Sequence, residues 1–192
     1  QWKKRVEPLL AGAAAVITPP GAHYDMERLL ELTKDYGVSV VFFPPSVLRP
    51  FLEEAAAGKG GLKIRQVISG GEPLTPTLAD KFFSVFPEAG LLNFYGPTET
   101  TVNVTHWRCT NSPGETVPIG RPVDGTNIYV LDRSRRPVPI GIKGELYVGG
   151  RPVAAGYHTR DELTAERFID DPFARRGGKM YRTGDLVRLR QD

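Results

Sequence analysis

A run of nine residues near the middle of the chain, at positions 93–101, combines amide, aromatic, hydroxyl and carboxylate groups. Tyr95 offers a flat face on which a purine ring can stack, and the Asn93 amide carries the donor and the acceptor needed to read an adenine edge. Glu99 is a hard oxygen ligand of the kind that Mg²⁺ takes together with phosphate oxygens. Thr98 can donate to a phosphate or support the metal. These residue types are therefore suited to holding a nucleotide.

Four further motifs follow this run along the chain. They read GELYVGG at 144–150, PVAAGY at 152–157, ELTAERF at 162–168 and YRTGDL at 181–186. Each motif alone is typical of a turn or a strand end. The ordered set is far more specific than any of its members.

In this order and spacing, the motifs resemble those of adenylate-forming enzymes, in particular the amino-acid adenylation domains of nonribosomal peptide synthetases. The resemblance covers roughly residues 8–192. It implies ATP and Mg²⁺ as cofactors. It also implies a role for each polar group: Tyr95 stacks on adenine, Asn93 holds the adenine amino group, Thr98 and Glu99 serve the phosphates and the metal, and Asp185 binds the ribose.

Two backbone features are expected to support this nucleotide site. Asp185 follows Thr183 and Gly184 at a predicted tight turn. The resemblance implies that a carboxylate fixed there accepts hydrogen bonds from two adjacent ribose hydroxyls. Gly70 and Gly71 follow a predicted strand, and the absence of a Cβ atom lets a ligand approach the backbone closely. Gly71 is therefore predicted to contact the nucleotide.

The resemblance also implies a substrate pocket with a mainly apolar lining. The positions that match the family's amino-acid pocket are Phe42, Ile68, Gly70, Phe94, Val102 and Asn103. Asn103 could hydrogen-bond a polar substituent, and Gly70 leaves space. Phe42 and Ile68 could equally be ordinary core residues, and an observed cavity would separate the two interpretations.

By resemblance, the reaction is attack of an amino-acid carboxylate on the α-phosphate of ATP, followed by transfer of the aminoacyl-adenylate to a carrier-protein thiol. An amino acid and the carrier (thiolation) and condensation domains are the implied partners. This chemistry depends on positioning and charge neutralisation, so it needs cations around the triphosphate. The family's phosphate loop normally precedes this region and its catalytic lysine follows it. We therefore assign no catalytic residue here and expect weak ATP binding without catalysis.

Residues 1–7 depart from the family pattern. Amino-acid-activating members carry an aspartate just before the matching region, whereas no aspartate occurs here before Asp25. A cut or recombined origin is favoured because the match resumes at Pro8, but a substrate without an α-amine and replacement by Glu7 stay open. Two other interpretations also stay open: a fragment of an acyl- or aryl-CoA ligase, and a non-catalytic module that moves specificity between synthetases.

The elements that must position these residues alternate between strands and helices in the first half. Strands are predicted at 14–18, 38–43, 62–68 and 91–95, with helices capped by Asp25, Ser46 and Thr75. Pro50 is expected in the first turn of the second helix, where it is tolerated. This alternation predicts an α/β fold with half of a flavodoxin-like parallel sheet and flanking helices. Ligands bind at the carboxyl ends of such strands, so the motifs should converge there.

The pattern changes after about Pro113. Short β-rich runs at 126–131, 144–148 and 180–189 are separated by glycine and proline, with one helix at about 161–168. They predict a small, distorted antiparallel β-barrel. Two domains are expected: a substrate- and adenine-binding α/β subdomain at 1–112, and a β-barrel subdomain carrying the ribose-binding Asp185 at 113–192.

Composition is ordinary for a globular protein of 192 residues, with 40% hydrophobic and 24% charged residues. The single cysteine, Cys109, indicates a reducing compartment, and we expect a cytoplasmic protein. The net charge of +3 comes without a basic stripe, so no nucleic-acid partner is expected. The apolar run near the N-terminus is shorter than the roughly 20 residues that span a bilayer, so no membrane association is expected.

Overall fold

The structure is a computed structural model that describes residues 9–21, 25–58, 61–111, 114–175 and 177–191. The chain divides into two compact units. The first unit comprises Gln1–Leu92 and Cys109–Val117, and the second comprises Asn93–Arg108 and Pro118–Asp192. The predicted domain boundary at 112/113 stays a prediction. The atypical residues 1–7 lie outside the described residues.

Helices and strands alternate along the first half and give way to strands in the second. The elements in chain order are α1 (Met26–Asp35), β1 (Val40–Phe42), α2 (Pro45–Ala56), β2 (Gln66–Gly70), α3 (Pro76–Val85), β3 (Gly90–Tyr95), a 3₁₀ turn (Thr98–Thr100), β4 (Thr105–Arg108), β5 (Arg121–Pro122), β6 (Thr126–Leu131), β7 (Lys143–Gly150), α4 (Asp161–Arg167), β8 (Phe168–Asp170) and β9 (Lys179–Arg188). In the part of the chain that is described, no helix is long and apolar enough to cross a membrane.

The predicted α/β fold class is confirmed. One sheet has the strand order β1-β2-β3-β4-β5 and is mixed, since β1 and β2 run parallel whereas β4 and β5 run antiparallel. The other sheet is antiparallel, with the order β6-β7-β9-β8. The described strands of this second sheet form an open sheet and do not close into a barrel.

Two of the three predicted helix caps are confirmed. The Asp25 carboxylate accepts a hydrogen bond from Arg28 N at 3.0 Å, and the Thr75 hydroxyl accepts one from Leu78 N at 3.3 Å. Both contacts satisfy amides of a first helical turn, which have no partner inside the helix.

The prediction for the second helix was wrong in its cap. Helix α2 begins at Pro45, and its N-cap residue, Pro44, makes no side-chain cap bond. Ser46 instead lies within the first turn, where its amide and hydroxyl both donate to the Glu72 carboxylate at 2.9 and 2.8 Å. A carboxylate distant in sequence thus satisfies the free amide, which a local pattern could not show. Pro50 consequently lies inside the helix, beyond its first turn.

The predicted strand at 14–18 is also wrong. These residues have no regular secondary structure, and Val16 and Ile17 are 40% and 75% exposed. An apolar run becomes a strand only where a neighbouring strand pairs with it, and no described strand does so here.

The core of the first unit is formed by aliphatic and aromatic side chains from its helices and strands. Those with less than 2% exposure include Leu30, Leu48, Phe51, Leu52, Val67, Leu78, Ala79, Phe82 and Leu91. The rings of Phe43 and Phe51 lie with centroids 4.8 Å apart, which ties the end of β1 to α2. Burying each such side chain contributes about 1.5–3 kcal/mol.

The second unit has smaller apolar clusters. Val104, Leu146 and Val148 form one, against which Tyr95 packs. The other cluster comprises Leu131, Tyr147 and Met180.

Candidate functional site

The predicted site residues of the first unit lie at the carboxyl ends of β1 and β2. Phe42 and Ile68 are register partners across these parallel strands, and both are half-buried. Phe43 N donates to Ile68 O at 2.9 Å and extends the pairing to the strand end. Two predicted pocket residues therefore lie side by side, as the parallel sheet required.

The turn after β2 leaves open space where a ligand was predicted. Gly70 is the last residue of β2 and is buried. Gly71 has a φ of +87°, and a Cβ atom placed on it would meet nothing within 4 Å. The hydroxyl of Ser69, a fully buried residue, has no hydrogen-bond partner among the described residues.

In the second unit, β3 delivers Asn93, Phe94 and Tyr95 in succession. Asn93 is 5% exposed, and its Nδ2 donates to Pro118 O at 2.9 Å, which fixes the amide orientation. Phe94 stacks on His106 with ring centroids 5.8 Å apart. Because successive side chains of a strand point to opposite faces of the sheet, Asn93 and Tyr95 share one face of β3 and Phe94 lies on the other.

The loop after β3 folds back tightly on the strand. Val104 N donates to Tyr95 O at 2.8 Å, and a Cβ atom on Gly96 would lie only 2.3 Å from Val102 O. Thr101 and Val102 both have positive φ, at 61° and 78°. A β-branched residue with positive φ is a genuine outlier, and such strain clusters at functional sites. Sequence reasoning did not anticipate this strain at Val102, which was predicted only as a pocket residue.

The structure brings Tyr95 and Asp185 into direct contact, although they lie 90 residues apart. The Tyr95 hydroxyl donates to the Asp185 carboxylate. Burial, together with this carboxylate, raises the pKa of Tyr95 well above its ordinary value. The phenol is therefore a fixed, neutral donor, and the residues predicted to hold adenine and ribose are directly linked.

Asp185 lies inside strand β9 and not after a separate turn, but Gly184 before it has a positive φ of +83°, as a tight turn requires. Strand β9 runs without a break through residues 183–185, and its register against β7 shifts between Glu145 and Tyr147. At this shift residues 183–185 of β9 stand opposite the single residue Leu146 of β7. Extra residues on one strand form a β-bulge, which aims a side chain away from the strand's regular alternation. Thr183 supports the bulge, because its hydroxyl donates to Leu146 O at 2.8 Å and accepts from Asp185 N at 3.0 Å.

Glu99 lies in the 3₁₀ turn and is bound by tyrosines. Tyr157 Oη donates to Glu99 Oε1 at 2.7 Å, and the hydroxyls of Tyr157 and Tyr181 are 3.3 Å apart. Burial raises the pKa of Glu99, but the hydrogen bond from Tyr157, a backbone hydrogen bond, the nearby Tyr181 hydroxyl and the charge of Arg167 outweigh it, so the pKa lies below its usual range. Glu99 is therefore ionised at neutral pH.

The remaining predicted residues of this loop surround Glu99 in sequence. Thr98 is exposed at the start of the 3₁₀ turn, while Val102 and Asn103 are half-buried. Sequence reasoning assigned no role to Tyr157 or Tyr181, although both lie inside the recognised motifs. Their position inside those motifs was the sequence feature that could have identified them as functional residues.

Comparisons with known proteins show the family of this chain. The chain belongs to the AMP-binding enzyme family, whose sequence model matches residues 7–158. Phosphinothricin tripeptide synthetase PhsB of Streptomyces viridochromogenes is 49% identical over 185 residues, which cover 96% of this chain and 15% of PhsB. The resemblance to adenylation domains of nonribosomal peptide synthetases is thereby confirmed.

Solved structures show the same fold. The N-terminal subdomain of Klebsiella oxytoca NpsA, in complex with 3-hydroxyanthranilyl-AMSN, matches with a TM-score of 0.84 at 28% identity, covering 96% of this chain and 47% of that one. Holo-AB3403, a four-domain nonribosomal peptide synthetase bound to AMP and glycine, matches with a TM-score of 0.83 at 34% identity, covering 96% and 14%. The chain thus spans less than half of each of these three relatives.

Proposed function

We propose that this chain supplies the nucleotide- and substrate-binding part of an adenylation domain that activates an amino acid with ATP to aminoacyl-AMP. The activated amino acid is then loaded onto the thiol of a carrier domain, with a condensation domain as a further partner. The hydrogen bond between Tyr95 and Asp185 carries this proposal, because it joins the two motifs assigned to adenine and ribose.

The nucleotide is held by residues of several elements. Tyr95 stacks on adenine, while Asn93 accepts from the adenine amino group through Oδ1, since its Nδ2 already donates to Pro118 O. Asp185 accepts from the ribose hydroxyls. Gly71 allows close approach of the ligand, which the open space at its Cβ position supports. Thr98, exposed at the start of the 3₁₀ turn, donates to a phosphate.

Glu99 is the proposed protein ligand of Mg²⁺. The described residues contain no group of three His, Cys, Asp or Glu side chains that could hold a metal alone. One ionised carboxylate suits Mg²⁺, which commonly binds one or two carboxylates and completes its shell with phosphate oxygens and water. When bound, the metal neutralises phosphate charge, and Glu99 orients it.

The amino-acid side chain is proposed to contact Phe42, Ile68, Gly70, Phe94, Val102 and Asn103. Their mainly apolar character favours an apolar substrate, with Asn103 available to a polar substituent. We assign no lysine or arginine of the chain to the triphosphate. We therefore propose that the chain alone binds nucleotide and does not complete the transfer.

Nucleotide binding by the 192-residue chain tests this proposal. Isothermal titration calorimetry with AMP should show binding, and Asp185→Asn should weaken it about 10-fold, since hydrogen bonds to a charged group are worth roughly 1.5–3 kcal/mol. Asp170→Asn is the matched control. Asp170 is an exposed carboxylate paired with Lys179 at 2.7 Å, and its replacement should leave AMP affinity unchanged.

Absence of AMP binding by a cooperatively folded chain would contradict the proposal and favour a non-catalytic specificity module. If the two substitutions changed AMP affinity equally, Asp185 would not be part of the nucleotide site. In the protein that contains this chain, ATP–pyrophosphate exchange with aryl acids but not with amino acids would favour an aryl-CoA ligase.

A further inference from the structure

The Glu99 carboxylate is held by a segment well downstream of it in the chain. Tyr157 Oη donates to Glu99 Oε1 at 2.7 Å, across a separation of 58 residues. A long-range contact of this kind is set by the fold of the second unit and not by local chain geometry.

Residues 152–157, which we term the brace, are attached to the Glu99 loop at two further points. Ala154 N donates to the Glu99 backbone O at 2.8 Å. The Thr101 hydroxyl donates to Pro152 O at 2.6 Å. Three hydrogen bonds therefore fix the brace against the loop, two of them to Glu99 itself.

The ring of Tyr157 is itself held in place. It packs edge-on against Phe168, with centroids 5.3 Å apart and an interplanar angle of 74°. Phe168 is only 2% exposed and also contacts the ring of Tyr181, at 5.0 Å. Tyr157 N donates to the Thr164 hydroxyl at 2.9 Å. The hydroxyl of Tyr157 is thus presented to Glu99 from a rigid position.

A tyrosine has an electrostatic advantage here over a cationic partner. A neutral hydroxyl orients a carboxylate while leaving its full negative charge available, whereas a lysine or arginine would neutralise it. Arg167, the cation whose charge acts on Glu99, is itself paired with Glu166 at 3.4 Å.

We propose that Tyr157 is a positioning residue for the Glu99 carboxylate and sets its orientation toward the metal of a bound Mg²⁺–nucleotide. The inference rests on the proposed function, because it takes Glu99 as the metal ligand. Partners of metal ligands typically change metal affinity by about 10–100-fold when they are removed. Tyr157 should therefore act on the Mg²⁺-dependent part of nucleotide binding and not on adenine recognition.

Tyr157→Phe tests this inference, since it removes the hydroxyl and keeps the ring against Phe168. The 192-residue chain is titrated calorimetrically with ATP in Mg²⁺, ATP in chelator, and AMP in chelator. We expect Tyr157→Phe to lose about 10-fold in the affinity gained from Mg²⁺ and to bind AMP as the parent chain does.

Tyr129→Phe is the matched control. Tyr129 also donates to a carboxylate of the second unit, Asp171, at 3.0 Å, but lies outside the proposed site. Its replacement should leave all three affinities unchanged.

A double-mutant cycle with Glu99→Gln separates positioning from general structure. If Tyr157 acts through Glu99, Tyr157→Phe should have no further effect on Mg²⁺–ATP affinity in the Glu99→Gln background. Additive effects, or an equal loss of AMP affinity in chelator, would overturn the inference. If the parent chain binds AMP but gains nothing from Mg²⁺, the positioning role fails while nucleotide recognition stands. If it binds no nucleotide, the proposed function fails first.

Discussion

Both units of this chain bury apolar side chains, but their described tyrosines make different contacts. In the first unit, side chains such as Leu52, Phe51 and Phe82 are fully buried, and its described tyrosine, Tyr36, is 65% exposed. In the second unit, tyrosine hydroxyls donate to carboxylates. These pairs are Tyr95–Asp185, Tyr129–Asp171, Tyr147–Glu145 and Tyr157–Glu99.

Buried apolar side chains and tyrosine–carboxylate pairs are expected to contribute differently to stability and to ligand binding. Removing a buried aliphatic side chain costs transfer free energy and leaves a cavity, whereas removing a half-buried hydroxyl costs about 0.5–1.5 kcal/mol. A polar pair, however, fixes the position of a functional group in a way that an apolar contact cannot. We therefore expect substitutions in the first core to act on folding, and substitutions of the two pairs at the proposed site, Tyr95–Asp185 and Tyr157–Glu99, to act mainly on ligand binding.

The largest expected effect is that of Leu52→Ala. Leu52 has 0% exposure in α2, so its truncation should lower the free energy of unfolding by about 2–5 kcal/mol. Leu163→Ala is the control, because Leu163 is 39% exposed on α4 and its loss should cost at most about 0.5 kcal/mol. Urea unfolding followed by circular dichroism measures both. Similar costs would show that the first unit does not depend on its apolar core.

A pair of glycine substitutions sharpens the comparison, with one member in each unit. Gly71 and Gly141 have φ values of +87° and +84°, and a Cβ atom on either would meet nothing within 4 Å. Alanine should therefore cost each about 1–2 kcal/mol of stability through backbone strain alone. AMP affinity should fall only for Gly71→Ala, which places a methyl group where the nucleotide is expected. If Gly71→Ala and Gly141→Ala bound AMP equally well, Gly71 would not be part of the predicted site.

The smallest expected effect is the alkaline sensitivity of the second unit. Burial, and then the Asp171 carboxylate, raise the pKa of Tyr129 from 10.0 to about 12. Between these values the folded chain keeps a proton that the unfolded chain loses, so the free energy of unfolding falls as the pH rises through this window. The contribution is fully present below pH 10.0.

Tyr129→Phe should therefore flatten the decline in stability above about pH 10, measured by urea unfolding at several pH values. The exposed residue Tyr36 provides the control, and Tyr36→Phe should follow the parent chain. A decline unchanged by Tyr129→Phe would show that this pair does not link folding to pH.

Much of the fold could be predicted from local signals. Strand β6 was expected at 126–131 and is observed at Thr126–Leu131, and Asp25 and Thr75 cap their helices as predicted. These features depend on patterns within a few residues, which the sequence shows directly. The strand expected at 14–18 failed because strand formation needs a partner elsewhere in the chain.

The candidate site also has features that local sequence predicts and features that it does not. The residue types at 93–101 and 181–186 predicted nucleotide chemistry, and the family comparisons support it. The roles of the individual residues stay predictions. The hydrogen-bond partners of those residues could not be predicted from local sequence patterns. Tyr157, for example, donates to Glu99 across 58 residues.

The sequence by itself determined the family, the place of most helices and strands and the chemical groups available to a ligand, because these depend on residue type and short-range spacing. The tertiary structure alone decided which groups meet. Asp185, which lies at the register shift between β9 and β7, meets Tyr95, and the brace places Tyr157 against Glu99. These contacts depend on strand register and on loop packing between residues distant in the chain. No single sequence motif determines the register or the packing.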